Sequence, residues 1–136
     1  MPAGSGPNVN QTQPGALAAD TAEHVICTMI PSSWNNPNQL GNLVSFAAVM
    51  AGLAAGTVTF RIRQGTTIAG TQVGVNVPVV VANAGTYDPA GEFQDASAFG
   101  NAQQNGQYVL TYQQSVASIA SISNAILELE TIATVA

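Results

Sequence analysis

His24 and Cys27 are the chain's one histidine and one cysteine, and they stand three residues apart. An imidazole beside a thiol is the smallest set from which a nucleophile and its activating base could be built. The run His24-Val25-Ile26-Cys27-Thr28-Met29-Ile30 is rich in β-branched residues and predicts a strand, in which residues three apart point to opposite faces. The expected roles are therefore an ordinary strand histidine and a buried structural thiol. A paired-histidine metal motif is missing, and a lone cysteine allows neither an internal disulfide nor a cysteine metal cluster.

Asp88, Glu92 and Asp95 form the one acidic cluster. Asp88-Pro89 has the pattern of an N-cap followed by a first-turn proline, so a short helix ending near Gly100 is predicted, with the three carboxylates on one face. Such a face could hold Ca²⁺ or meet an arginine across an interface. The spacing does not match a calcium loop, and a solvated or interfacial helix face is the expectation.

Arg61 and Arg63 supply every fixed positive charge; lysine is absent. Both fall on the polar face of Thr57–Arg63, whose other face is Val58, Phe60 and Ile62. Their fork geometry suits bidentate pairing with a carboxylate, and a subunit boundary is one expected place for it. The other is open solvent, where the pair contributes little. Trp34, Tyr87, Tyr108 and Tyr112 could stack on sugars or anchor a protein interface, and residue type does not choose between the two. Neither a nucleophile-elbow motif nor a phosphate-cradling loop occurs.

Composition narrows the function classes. The chain has 136 residues, of which 7% are charged and 46% hydrophobic, with a net charge of −5. Amides, hydroxyls and backbone must wet most of the surface, which suits contact with other protein. Net acidity argues against a nucleic-acid partner. The longest apolar stretch, Leu43 to Ala55, is too short for a membrane helix, so a soluble protein is expected. Residues 1–19 lack a basic n-region and are broken by Pro2, Pro7 and Pro14, so no secretory signal is expected and synthesis in the cytoplasm is the default.

The elements that would position these groups are β-strands. Residues 1–21, rich in Pro, Gly, Asn and Gln, read as an extended arm that would be ordered by lying on a neighbour; residues 22–136 read as one domain. Within that domain Leu43–Met50 reads as a buried strand and Thr57–Arg63 as the clearest alternating strand. Gln64–Thr67 is turn chemistry before a hairpin partner at Thr71–Val77, and Pro78 marks an edge, bulge or crossing. Gln107–Gln113 and a long final segment with Ala125, Leu127 and Leu129 on one face complete the set. Seven or eight strands with one short helix predict an all-β, antiparallel, jelly-roll-like sandwich.

The segment Val58–Thr67 with Gly70–Gly74, and the closing Tyr108–Tyr112 followed by Ser/Ala repeats and an apolar strand, resemble small β-rich structural proteins of bacteriophage virions. These include capsid decoration (cement) proteins and head or tail fibre modules. The resemblance covers about half the chain and implies a sandwich, often trimeric, that sits on a capsid lattice made of a major capsid protein. It carries over no site residues. The resulting expectation is a virion structural protein with no enzymatic activity, no cofactor and no metal. Its expected partner-binding residues are Arg61, Arg63, Trp34 and the arm prolines Pro7 and Pro14. A receptor- or glycan-binding module of a head or tail fibre is the alternative.

Overall fold

The structure, a computed structural model, describes residues 8–29, 39–95, 107–117 and 119–133. Among them are ten strands and no helix. In chain order these are β1 (Asn8–Thr12), β2 (Gly15–Ala16), β3 (His24–Met29), β4 (Gln39–Gly52) and β5 (Gly56–Gln64). The second half contributes β6 (Gln72–Val81), β7 (Gly85–Tyr87), β8 (Ala90–Asp95), β9 (Tyr108–Gln114) and β10 (Ala120–Ala133). All pairings are antiparallel.

The ten strands fill eight places. β1 and β2 run one after the other along β10, and β7 and β8 do the same along β4, so the first sheet is β1/β2–β10–β4–β7/β8. The second is β3–β9–β5–β6. The pairs β5:β6, β4:β7/β8, β3:β9 and β1/β2:β10 nest inside one another like a long hairpin folded over. That nesting, split between two facing sheets, is the jelly roll.

Alternation decides which side chains the sheets trap. Val58, Phe60 and Ile62 of β5 are fully buried, as are Val44 and Met50 of β4 and Ile122, Ala125 and Leu127 of β10. Phe46 stacks on Phe60 across the gap, ring centroids 5.4 Å apart. Neighbouring positions on β4, such as Ala47, Val49 and Ala51, face outward.

The predicted helix after Asp88 is not formed up to Asp95, the last residue described there. Ala90–Asp95 is instead β8, paired with β4 from Ala47↔Ala90 to Asn42↔Asp95. A period of two overrides the capping signal: Phe93 packs against the core and Asp95 is buried, while Glu92 and Gln94 face solvent. Pro89, the supposed first helical residue, is buried and its carbonyl accepts the Ala48 amide at 2.9 Å.

Of the segment 1–21, residues 8–16 lie along β10 of the same chain as β1 and β2. Backbone pairing needs no apolar side chains, which is why a run of Asn, Gln and Thr can serve as strand. Leu17 then turns into the core, and Tyr112 Oη accepts the Ala18 amide at 2.8 Å.

Pro78 sits within the edge strand β6, opposite Thr59. Just before it, residues between Val73 and Val77 bulge away from β5, where one residue, Arg61, separates their partners Ile62 and Phe60. Gly74 makes the bulge with φ of +77°, and a Cβ there would overlap the Phe93 ring. This glycine lets β6 close against β8.

Candidate functional site: a covered arginine–glutamate centre and two open surfaces

The outer face of β9 carries Val109 and Thr111, both fully buried although they point away from the core. Their cover is a polar cluster. Glu23, immediately before β3, takes Arg63 Nε at 2.7 Å on Oε2 and Arg63 Nη2 at 2.9 Å on Oε1. The Thr111 hydroxyl donates to Oε2 at 2.6 Å, and Arg61 Nη1 lies 3.4 Å from Oε1. The sheet order β3–β9–β5 brings these residues together, with Arg61 opposite Thr111 in register.

Both guanidiniums are otherwise occupied. Arg61 donates to Gln113 Oε1 at 2.9 Å and to Asn76 Oδ1 at 3.0 Å, the latter delivered by the β6 bulge. Arg63 Nη1 donates to the Gly70 carbonyl at 3.0 Å. Side-chain exposure is 16% and 19% for the arginines and 11% for Glu23. The Arg63 fork, helped by Thr111, holds the Glu23 carboxyl below its ordinary range despite partial desolvation. Glu23 in turn raises Arg63. The carboxylate that the two forks meet is thus one of their own chain, and the cluster staples three strands together.

His24 bonds Asp20 at 2.6 Å and stacks on Tyr112, centroids 5.5 Å apart. That bond is the main reason the Asp20 carboxyl sits below its usual range. Cys27 is buried, and burial pushes its thiol up to about 11. A bulge in β3 between Val25 and Cys27 turns both Ile26 and Cys27 inward, so the simple face rule for His24 and Cys27 does not apply across it. Burial that keeps the thiol protonated fits the structural role expected for Cys27.

The three carboxylates after Tyr87 are dispersed. Asp88 and Glu92 are exposed, whereas Asp95 is buried and accepts from Gln64 Nε2 at 2.8 Å and Tyr108 Oη at 2.7 Å. Among the described residues no group of three metal-ligating side chains converges. Tyr108 and Tyr112 belong to the core, and Tyr87 spends its hydroxyl on the Asn83 carbonyl at 2.8 Å. Pro14 is half-buried beside β2. Trp34 and Pro7 lie outside the described residues.

Residue types alone did not single out Glu23, Thr111, Gln113 or Asn76, and Gln114 is a further case. Gln114, buried on the inner face of β9, donates to the carbonyls of Ala18 and Asp20 at 2.7 and 3.2 Å and accepts the Ile119 amide at 2.9 Å. Its sole sequence signal is an amide at an inward position of a strand, which needs partners wherever it is buried.

Among the described residues, two depressions open to solvent stand out. One is a shallow polar depression of about 350 Å³ beside β5 and β9, lined by Thr21, Thr57, Thr59, Gln113, Gln114 and Ser115. The other lies on the outer face of the first sheet. There Ala47, Val49, Ala90 and Ile126 border an apolar depression of about 320 Å³, with Asp88 and Asn124 at its margin.

Neither protein-family models nor curated sequences match the chain. Solved structures do. Two structures of infectious bursal disease virus T=1 particles, one of them a mutant VP2 protein, superpose with a TM-score of 0.52 at 10% identity over 94% of this chain. Subunits of the disulfide-linked pili of Bacillus endospore appendages match more loosely, with a TM-score of 0.45 and 13% identity over 96% of this chain and 95% of theirs. The chain spans about a third of the viral protein chains it matches. The jelly roll read from the strand order is therefore a fold also found in viral capsid protein.

Proposed function

We infer that the chain is a structural protein of a virion, a capsid decoration or minor capsid protein that binds a capsid lattice and strengthens the particle. The carrying observation is the outer face of the first sheet. A sheet face turned to water is ordinarily polar, yet β4 presents Ala47, Val49 and Ala51 there and β10 adds Ile126. Fold and low charge support the same role, which requires binding and no catalysis. Association into trimers, resting on the resemblance to decoration proteins, would multiply weak contacts across a repeating lattice.

A receptor- or glycan-binding role has one observation in its favour, the polar depression beside β5. Its amides are largely spent internally, since Gln113 bonds Arg61 and Thr21 while Gln114 bonds Ala18, Asp20 and Ile119. The virion reading is tested with an antibody against the purified chain, used for immunogold electron microscopy of particles pelleted from cells that make it naturally. Gold on particle surfaces is expected. Label confined to soluble material would overturn the assignment.

A further inference from the structure

The outer face of the first sheet is laid out in rows. Glu92 of β8, Ser45 of β4 and Glu128 of β10 are direct neighbours in register, so their side chains form one row across three strands. Two strand spacings set the glutamates about 9–10 Å apart at the backbone. The next row on the same face is Ala90, Ala47 and Ile126, and beyond it Val49 pairs with Asn124. Asp88 stands at the margin of the apolar depression that these residues border. Glu128 is half-buried, and with Ser45, Phe46, Ala47 and Ile126 it lines a further hollow of about 110 Å³. Acid and apolar wall share one hollow.

These carboxylates have no counter-charge of their own. Among the described residues, ion pairs join only Asp20 to His24 and Glu23 to the two arginines, all of them away from the first sheet. The sequence holds no lysine and no third arginine, so the chain contains no other basic side chain to meet them.

Covering the face therefore carries an electrostatic condition. A neutral surface laid over it would strip water from Glu92 and Glu128 and offer nothing in its place, which opposes binding. A second copy fares no better, because its arginines are held by Glu23 and a symmetric contact would set carboxylate against carboxylate. Basic side chains at the spacing of the two glutamates replace the lost solvation. The stem of a lysine or arginine also covers apolar surface on its way to the acid.

We propose that the outer face of the first sheet docks on a protein surface of matching layout: an apolar projection seated over Ala47, Val49 and Ile126, flanked by basic side chains that meet Glu92 and Glu128. The inference rests on the virion reading and deepens it, by giving the lattice surface a charge and a spacing.

The test binds isotope-labelled chain to particles pelleted from cells in which its gene is disrupted, at low and at high NaCl concentration. The samples are the wild type, Glu92→Gln with Glu128→Gln, Glu128→Lys, and Val75→Lys with Val80→Lys. The last pair shifts the net charge as far as the glutamine pair does, but at exposed positions of β6 in the other sheet. Circular dichroism reports folding of each. The glutamine pair, which keeps the shape of the side chains, is expected to bind about tenfold more weakly than the wild type and to lose most of its salt dependence. Glu128→Lys should bind more weakly still, and the β6 pair as the wild type does. Unchanged binding by either glutamate variant overturns the basic partner, as does a β6 pair weakened as much as the glutamine pair. Wild-type binding abolished by EDTA would assign the carboxylates to a bridging metal ion and also overturn it. A folded wild type that binds no particles at either salt concentration sinks the virion reading and this inference together, whereas unchanged binding by the glutamine pair leaves that reading standing.

Discussion

Replacing Glu23 by alanine would leave two guanidiniums under cover without a counter-charge. Three short bonds end on that carboxylate, at 2.6, 2.7 and 2.9 Å, and Arg61 adds a longer one at 3.4 Å. At about 1 kcal/mol net for each short bond, Glu23→Ala should cost about 3 kcal/mol, the lower end for breaking a buried pair. Exposure of 11% at the carboxylate leaves little solvent screening to discount. Urea denaturation followed by circular dichroism measures the loss, and the melting temperature should fall by about 10 °C for a chain of this size. Acid adds a signed check. Because the folded Glu23 titrates below its ordinary 4.5, its contribution is complete above that pH and disappears as pH falls through the lowered value. The gap between wild type and Glu23→Ala should therefore hold near neutrality and close on acidification. A loss below about 1 kcal/mol, or a gap independent of pH, would show that the cluster behaves as an ordinary surface pair.

Deleting residues 1–16 removes both strands that cover the outer edge of β10. A loss of more than about 2 kcal/mol is expected, with aggregation through the bared edge visible by light scattering; an unchanged urea midpoint would contradict the pairing. Gly74→Ala must accommodate both a left-handed backbone and the Phe93 ring, so thermal melts should show a loss of about 1–3 kcal/mol. Gly15→Ala, with a similar φ of +75° and open space around it, should lose less; equal losses would refute the steric part.

Much of the sandwich was legible in strand alternation. Val58, Phe60 and Ile62, and likewise Ala125, Leu127 and Leu129, face the core as their spacing indicates. Reading failed where local chemistry and tertiary pairing disagree. Asp88-Pro89 carries a helix-start signal, but β4 supplies a ladder for Ala90–Asp95 and the core receives Phe93. Asn8–Thr12 offers no apolar pattern because its contribution is a row of backbone amides and carbonyls. The arginine cluster depends on Glu23 reaching residues 38 and 40 positions away, a proximity created by the strand order and invisible in spacing. Asn76 reaches Arg61 only through a bulge that shifts the register of β6.

The place of β10 has a consequence for how the chain is made. It follows the other nine described strands in the chain, yet it lies inside its sheet, between β1/β2 and β4. Until it emerges from the ribosome, β1 and β2 have no partner and one edge of β4 stays bare, whereas β5 and β6 can already form a local hairpin. Contacts of such long sequence separation make folding slow and late. The first sheet, and with it the apolar outer face, is therefore completed only after β10 has been synthesised.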